Sequence, residues 1–134
     1  MANLVIDASI TVAWCLPDER SDYAEAVLDV VLTKLAVAPR LWAYEVRNTI
    51  LMAVRRQRIT RADAITFLTS LRDFDIYLVD PPSYAEVYEL AEVQGLTFYD
   101  AAYLDLALRE GAAIATADQK LQTAAKRVGV QLWR

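Results

Sequence analysis

LVIDAS, residues 4–9, is the stretch that decides the fold of this chain. The apolar run Asn3–Ile6 predicts a short strand that is buried on both faces, as strands of parallel sheets are. Asp7 ends this strand, and Ala8–Leu16 follows with helical propensity until Pro17 stops it. A buried strand that runs directly into a helix indicates an α/β protein, in which Asp7 lies at the carboxyl end of a strand.

Short apolar strands and amphipathic helices alternate along the rest of the chain. Further strands are predicted at Ala36–Ala38, Ile76–Val79, Ala112–Ala115 and Val130–Trp133. Helices are predicted after N-caps at Ser21, Thr60 and Ser83, and over Leu41–Arg56, Phe98–Glu110 and Ala117–Arg127. The alternation predicts a mostly parallel sheet that helices cover on both faces, with right-handed crossovers. The ligand site of such a sheet lies beyond the carboxyl ends of its strands, at the topological switch point.

Length and composition predict one compact domain over residues 1–134. Hydrophobic residues make up 56% of the chain, which allows an ample core, and only three glycines and four prolines argue against disorder. No apolar stretch is long enough for a transmembrane helix, and the first residues lack the basic segment of a signal peptide. The single Cys15 allows neither an internal disulfide nor a Cys-rich zinc site, so we expect a cytoplasmic location.

Histidine is absent from the sequence, which excludes every mechanism that needs imidazole as base, shuttle or ligand. Catalysis would have to use carboxylates, hydroxyls, lysine or a metal ion. The net charge of −4 disfavours RNA binding by phosphate neutralisation alone. That objection lapses if a divalent cation meets the scissile phosphate and a local basic patch holds the rest of the strand.

Four acidic residues stand where this fold would bring ligands together. Asp7 and Asp118 each follow a predicted strand, so they share one sheet edge if both strands are parallel. Asp100 lies in the first turn of a helix, and Glu45 lies in a helix amid apolar residues. Taken singly, Asp7 and Asp118 could be helix caps, and Asp100 could complement a helix dipole. Glu45 could pair with Arg47.

A joint role for these acids has a physical basis. Carboxylates held within several ångströms of one another repel, and their pKa values rise unless a cation intervenes. Oxygen ligands without Cys or His select Mg²⁺ or Mn²⁺. Such an ion polarises a phosphoryl oxygen, activates a bound water and stabilises a leaving 3′ oxygen. The pattern therefore indicates a metal-dependent nuclease.

Four motifs in this chain resemble those of a known family. They are Leu4–Ser9 (LVIDAS), Tyr44–Asn48 (YEVRN), Tyr99–Tyr103 (YDAAY) and Ala115–Leu121 (ATADQKL). In this order and at this spacing they resemble PIN domains, and more narrowly the VapC-type toxins of toxin–antitoxin pairs. The resemblance spans essentially the whole chain. It implies a three-layer α/β/α sandwich with a five-stranded, mostly parallel sheet.

The resemblance also implies an activity, a Mg²⁺- or Mn²⁺-dependent endoribonuclease. It places the family's four catalytic and metal-binding acids at Asp7, Glu45, Asp100 and Asp118. Asp7 and Asp100 would be the main metal ligands, and Asp118 would bind directly or through water. Glu45 would ligate the ion or orient the attacking water.

Supporting residues and partners are implied in the same way. Thr116 would orient a carboxylate or a phosphate by hydrogen bonding, and Ser9 and Asn48 fall where the family has further polar side chains. The partners would be an RNA substrate, a second copy in a homodimer, and a cognate antitoxin whose C-terminal segment covers the site.

The sequence leaves open the roles of two clusters, one basic and one aromatic. A basic cluster could contact phosphates or could be a solvated helix end; it comprises Arg55, Arg56, Arg58 and Arg61. Three aromatic residues could stack on bases, although core or interface packing is the more usual role of such side chains; they are Trp14, Trp42 and Tyr44.

Other functions compete with a toxin. A PIN nuclease of RNA processing would use the same acids, and a non-catalytic RNA-binding module would normally lack one or more of them. A receiver-like signalling domain also combines a parallel sheet with an acidic Mg²⁺ pocket, and Asp80 would be its phosphoacceptor. Against that function, two prolines follow Asp80, and no lysine follows the last strand.

Overall fold

The computed structural model describes residues 4–134, so the predicted strand residue Asn3 lies outside the described part. One sheet is formed by β1 (Leu4–Ile6), β2 (Ala36–Pro39), β3 (Ile76–Val79) and β4 (Ala113–Ala115). The strands are parallel and lie in the order β3-β2-β1-β4. Because β2 and β3 are added on one side of β1 and β4 on the other, the switch point falls between β1 and β4.

Seven α-helices flank the sheet within residues 4–134. They are α1 (Ala8–Ala13), α2 (Asp22–Val31), α3 (Leu41–Arg55), α4 (Arg61–Ser70), α5 (Tyr84–Gln94), α6 (Phe98–Glu110) and α7 (Gln119–Val128). Two of the predicted N-caps form: the side chains of Ser21 and Thr60 accept from the backbone N–H three residues later. Ser83 occupies the N-cap position of α5, but its side chain makes no capping hydrogen bond.

The core forms where β1 and the buried face of α6 meet. All three residues of β1 are buried, and α6 packs against β1 and β2. Trp14 and Trp42 are also buried, which confirms that their aromatic rings belong to the core. Tyr44 is 76% exposed and therefore does not. Across residues 4–134, no helix has the length and apolarity that a bilayer crossing requires.

The expectation of a fifth strand was wrong. Val130–Trp133 runs beside β4, but it makes only a single parallel bridge, between Leu132 and Ile114. The segment reaches this position after Gly129 ends α7 in the left-handed conformation, with φ +81°. Beyond the bridge, Trp133 is committed to other contacts: its carbonyl accepts from Tyr23 Oη at 2.8 Å, and its ring packs on that of Tyr23. The sheet therefore has four strands.

Candidate active site

Asp7 lies at the switch point and faces the end of β4. The register pairs Ile6 with Ala115, and the Asp7 backbone N–H donates to the Ala115 carbonyl at 3.0 Å. Asp7 is buried, and its Oδ2 accepts hydrogen bonds from Ser9 Oγ and Thr116 Oγ1, both at 2.7 Å. Although Asp7 precedes α1, its side chain makes no capping hydrogen bond. The simple role of a helix cap therefore does not account for this residue.

Hydrogen bonds of Thr116 link the residues that follow β1 and β4. Its hydroxyl donates to Asp7 and accepts from the Asp118 backbone N–H at 2.9 Å. Ser9 makes a second link of the same kind, because its Oγ donates to Asp7 and accepts from the Ala117 N–H at 3.0 Å. These bonds fix the loop that carries Asp118 against the Asp7 carboxylate.

Asp118 and Asp100 lie at the N-terminal ends of two helices, α7 and α6. Asp118 is the N-cap of α7, and its Oδ1 accepts from the Lys120 N–H at 2.9 Å, so its capping role is real. Asp100 lies in the first turn of α6, where its backbone N–H donates to the N-cap Thr97. Both carboxylates are half-buried.

Glu45 is held by a residue that sequence reasoning missed. Tyr103 is fully buried on α6, and its hydroxyl donates to Glu45 Oε1 at 2.6 Å. Tyr103 stands three residues after Asp100, so both lie on one face of α6. A buried tyrosine hydroxyl nearly always needs a partner, and its helical spacing from Asp100 was the available signal.

A second unpredicted link joins α1 to α3. The Trp42 indole N–H donates to Thr11 Oγ1 at 2.9 Å, and both side chains are buried. Trp42 is in the first turn of α3, three residues before Glu45, so the bond fixes the start of the helix that carries this acid. Asn48, by contrast, is exposed, and no side-chain hydrogen bond within residues 4–134 ties it to the acids.

Burial and neighbouring charges change the pKa values of three of these acidic side chains. Burial raises the pKa of Asp7, hydrogen bonds from Thr116 and Ser9 lower it in part, and the charge of Asp118 raises it further. Burial also raises the pKa of Asp100, reinforced by the charges of Asp118 and Asp7. The same causes act on Glu45: burial raises its pKa, the Tyr103 hydrogen bond lowers it, and the charges of Asp7 and Asp100 raise it.

The donor set suits a hard divalent cation. All four side chains offer carboxylate oxygens, and their mutual repulsion is the kind that a bound cation relieves. As they stand, no three acidic or Cys side chains in residues 4–134 are grouped closely enough to hold one ion. In their chemistry, these residues fit a hard divalent cation.

Comparison with known proteins identifies the family. The PIN domain model matches residues 4–127. Ribonuclease VapC3 of Pyrobaculum aerophilum is 37% identical over 125 residues, which cover 89% of this chain and 92% of that protein.

Solved structures share the fold. The Pyrobaculum aerophilum protein PAE2754 superposes with a TM-score of 0.73 at 26% identity, over 92% of this chain and 84% of that chain. FitAcB of Neisseria gonorrhoeae gives 0.67 at 16% identity, over 98% and 96%. Mycobacterium tuberculosis VapC20, a sarcin-ricin loop cleaving toxin, gives 0.59 at 14%, over 91% and 95%. The model match along most of the chain and the 37% identical relative together show that this chain belongs to the PIN-domain family, in its VapC-type group.

Proposed function

We propose that this chain is a Mg²⁺- or Mn²⁺-dependent endoribonuclease and the toxin of a toxin–antitoxin pair. The observation that carries the proposal is the hydrogen-bond network that holds the Asp7 carboxylate to Ser9 and Thr116 and ties in the loop of Asp118. The charges of neighbouring carboxylates also raise the pKa values of Asp7, Glu45 and Asp100, which supports a shared role for the four acids. The relative named ribonuclease VapC3 supports RNA as the substrate. Acids without histidine are compatible with phosphodiester hydrolysis at a metal site.

In this proposal the residues of the site have separate roles. Asp7, Asp100 and Asp118 would hold the ion, which when bound supplies charge to polarise the phosphate and activate water. Glu45 would orient the attacking water and take its proton; the Tyr103 hydroxyl holds its Oε1, and burial raises its pKa. Ser9 and Thr116 hold the Asp7 carboxylate in place. Water would add to phosphorus as its proton passes to Glu45, the P–O3′ bond would break, and the 3′ oxygen would take a proton from solvent. Glu45 would then return its proton to solvent, leaving a 5′-phosphate and a 3′-hydroxyl.

Cleavage of RNA by purified protein tests this proposal. Wild type should cut in Mg²⁺ and stop in excess chelator, while Asp7→Asn should lose more than the roughly 10- to 100-fold that outer partners of a metal site typically contribute. Asp29→Asn, which makes the same chemical change at an exposed position of α2, should cut like wild type. Equal cleavage by wild type and Asp7→Asn would eliminate the proposed chemistry and favour a non-catalytic module.

Partners and location are part of the proposal. We expect a homodimer, an antitoxin that covers the site, a single domain over the whole chain, and a cytoplasmic location. An apolar groove beside the site supports a protein contact, because exposed aromatic side chains line it. These are Tyr44, Tyr84 and Tyr99. Light scattering on the purified protein, and co-purification with the product of the neighbouring gene, test these expectations.

Two functions compete with this proposal, a receiver-like domain and a nuclease of RNA processing. The receiver-like interpretation is not supported, since Asp80 is an exposed residue in an ion pair with Arg40 at 3.2 Å and the chain is a PIN-family member. A role in RNA processing uses the same site and is separated by genomic context: an antitoxin gene directly upstream favours the toxin.

A further inference from the structure

The α7 helix carries a charge opposite to that of the molecule. Between Gln119 and Val128 there are three basic residues, Lys120, Lys126 and Arg127, and no acidic one. Because the whole chain has a net charge of −4, these three positive charges leave −7 on the remainder. In a protein this acidic, such a helix is a place where a polyanion would meet little repulsion.

Two of these cations face a groove. Lys120, Thr123 and Arg127 follow one another at helical spacing and line one wall of it. The opposite wall is the turn between α5 and α6, around Gln94 and Gly95, and no acidic residue lines the groove.

The cations of this groove are not neutralised by ion pairs. Within residues 4–134, neither Lys120 nor Arg127 forms a salt bridge. The basic cluster singled out in the sequence differs, because its Arg58 is bound to Asp18 at 2.9 Å and Glu19 at 2.6 Å. The Arg58 charge is therefore committed to holding the Pro17–Glu19 turn, while the other arginines of that cluster form no salt bridge within the described residues. Lys120 and Arg127 differ from them because they line a groove that begins next to Asp118.

The groove begins at the acidic site. Asp118 caps α7, and the Lys120 backbone N–H donates to its carboxylate. Lys120 also lies close enough to Asp100 for its charge to act on that carboxylate. From Lys120 to Arg127 the helix rises about 10 Å, which leads directly away from the acids.

We propose that the groove between α7 and the α5–α6 turn binds the phosphate backbone of the RNA strand next to the bond that is cut. This inference rests on the proposed nuclease function, and it supplies the basic patch that an acidic protein needs for RNA. Lys120 and Arg127 contact phosphates, and the strand runs from the acidic site along α7.

Binding of labelled single-stranded RNA in chelator, followed by fluorescence anisotropy at several salt concentrations, tests the groove without cleavage. Lys120→Gln and Arg127→Gln should each weaken binding and reduce the slope of log affinity against log salt by about 0.7, the value for one phosphate contact. Lys126→Gln is the matched control: it removes the same charge from the same helix, but Lys126 lines a different groove, with Tyr23 and Trp133. It should leave the slope unchanged.

The possible results separate the two proposals. If Lys126→Gln lowers the slope as much as the other two variants, or if wild type does not bind RNA, the groove proposal is overturned. It is also overturned if Lys120→Gln and Arg127→Gln bind RNA normally but lose a protein partner, because the groove would then bind an acidic protein segment. If the expected slopes are found and wild type still fails to cleave RNA in Mg²⁺, the groove stands and the nuclease proposal fails.

Discussion

The Tyr103 hydroxyl is the group through which α6 controls Glu45. It is fully buried and donates to Glu45 Oε1, and burial together with that bond raises its pKa, so it remains a donor at any working pH. We expect Tyr103→Phe to lower the free energy of unfolding by about 1.5–3 kcal/mol, as loss of a hydrogen bond to a charged group does. Because Glu45 then loses its orientation, RNA cleavage should fall about 10- to 100-fold. Thermal unfolding and kcat measurements check both effects.

Two controls separate positioning from simple destabilisation. Ser21→Ala removes the hydroxyl bond that caps α2, from the Ala24 N–H to Ser21, and should reduce stability while leaving kcat intact. In a Glu45→Gln background, Tyr103→Phe should cause little further loss of activity, since the residue through which it acts is already altered. An equal loss in both backgrounds would contradict a positioning role.

Single residues show what sequence could and could not reveal about the site. The positions of Asp7 and Asp118 at one sheet edge were predictable, because Asp7 directly follows β1, Asp118 lies three residues beyond β4, and parallel strands end at a common edge. Tyr103 lies 58 positions from Glu45, and no local pattern encodes a contact between two helices at that separation. Asn48 lies three residues from Glu45 on α3 and is exposed, so its role in the site stays a prediction.

Between elements, the bond from Trp42 to Thr11 holds the start of α3 against α1. Thr11→Val keeps the side-chain volume but removes the acceptor, which leaves the buried Trp42 N–H without a partner. We expect the free energy of unfolding to fall by about 1–3 kcal/mol. Activity should fall as well, because α1 follows Asp7 and α3 carries Glu45. Chemical denaturation measures the first effect and RNA cleavage the second.

Thr33→Val is the matched control for this link. Thr33 is exposed, and its hydroxyl only donates to the nearby Val30 carbonyl, so the substitution should change stability little. If Thr11→Val is no more destabilising than Thr33→Val, the Trp42–Thr11 bond does not stabilise the packing of α1 on α3.

Element boundaries were predicted well where local chemistry sets them. Ser21 and Thr60 begin helices because their hydroxyls accept backbone N–H groups, a property readable from sequence. The fifth strand could not be judged in this way. Val130–Trp133 has the composition of a strand, and the Trp133 N–H donates to Ile114 of β4, but the Trp133 carbonyl accepts from Tyr23. How far the segment pairs with β4 therefore depends on a tertiary contact.

At the scale of the whole molecule, the charged carboxylates of the acidic site lower the free energy of unfolding when no metal is bound. Asp7, Glu45 and Asp100 all have pKa values raised above their ordinary 3.8, 4.5 and 3.8, so the folded state binds protons more tightly than the unfolded state. Stability from these groups is therefore greatest at or below those ordinary values and falls as pH rises through the raised ones. The cost of the charged carboxylates therefore grows as pH rises through the raised pKa values, and a bound cation would offset it.

Asp100→Asn isolates this effect from the other titrating groups. Without metal, the variant should be more stable than wild type at neutral pH, and the difference should shrink as pH falls toward 3.8, where the Asp100 proton is retained. In Mg²⁺ the order should reverse, because wild type gains RT ln(1 + [Mg²⁺]/Kd) while the variant has lost a ligand. Melting temperatures over pH, with Mg²⁺ or chelator, measure both trends, and Asp29→Asn should follow wild type throughout. If Mg²⁺ stabilises wild type more at acid than at neutral pH, the ion does not compete with protons for these carboxylates, and a metal site built from them is untenable.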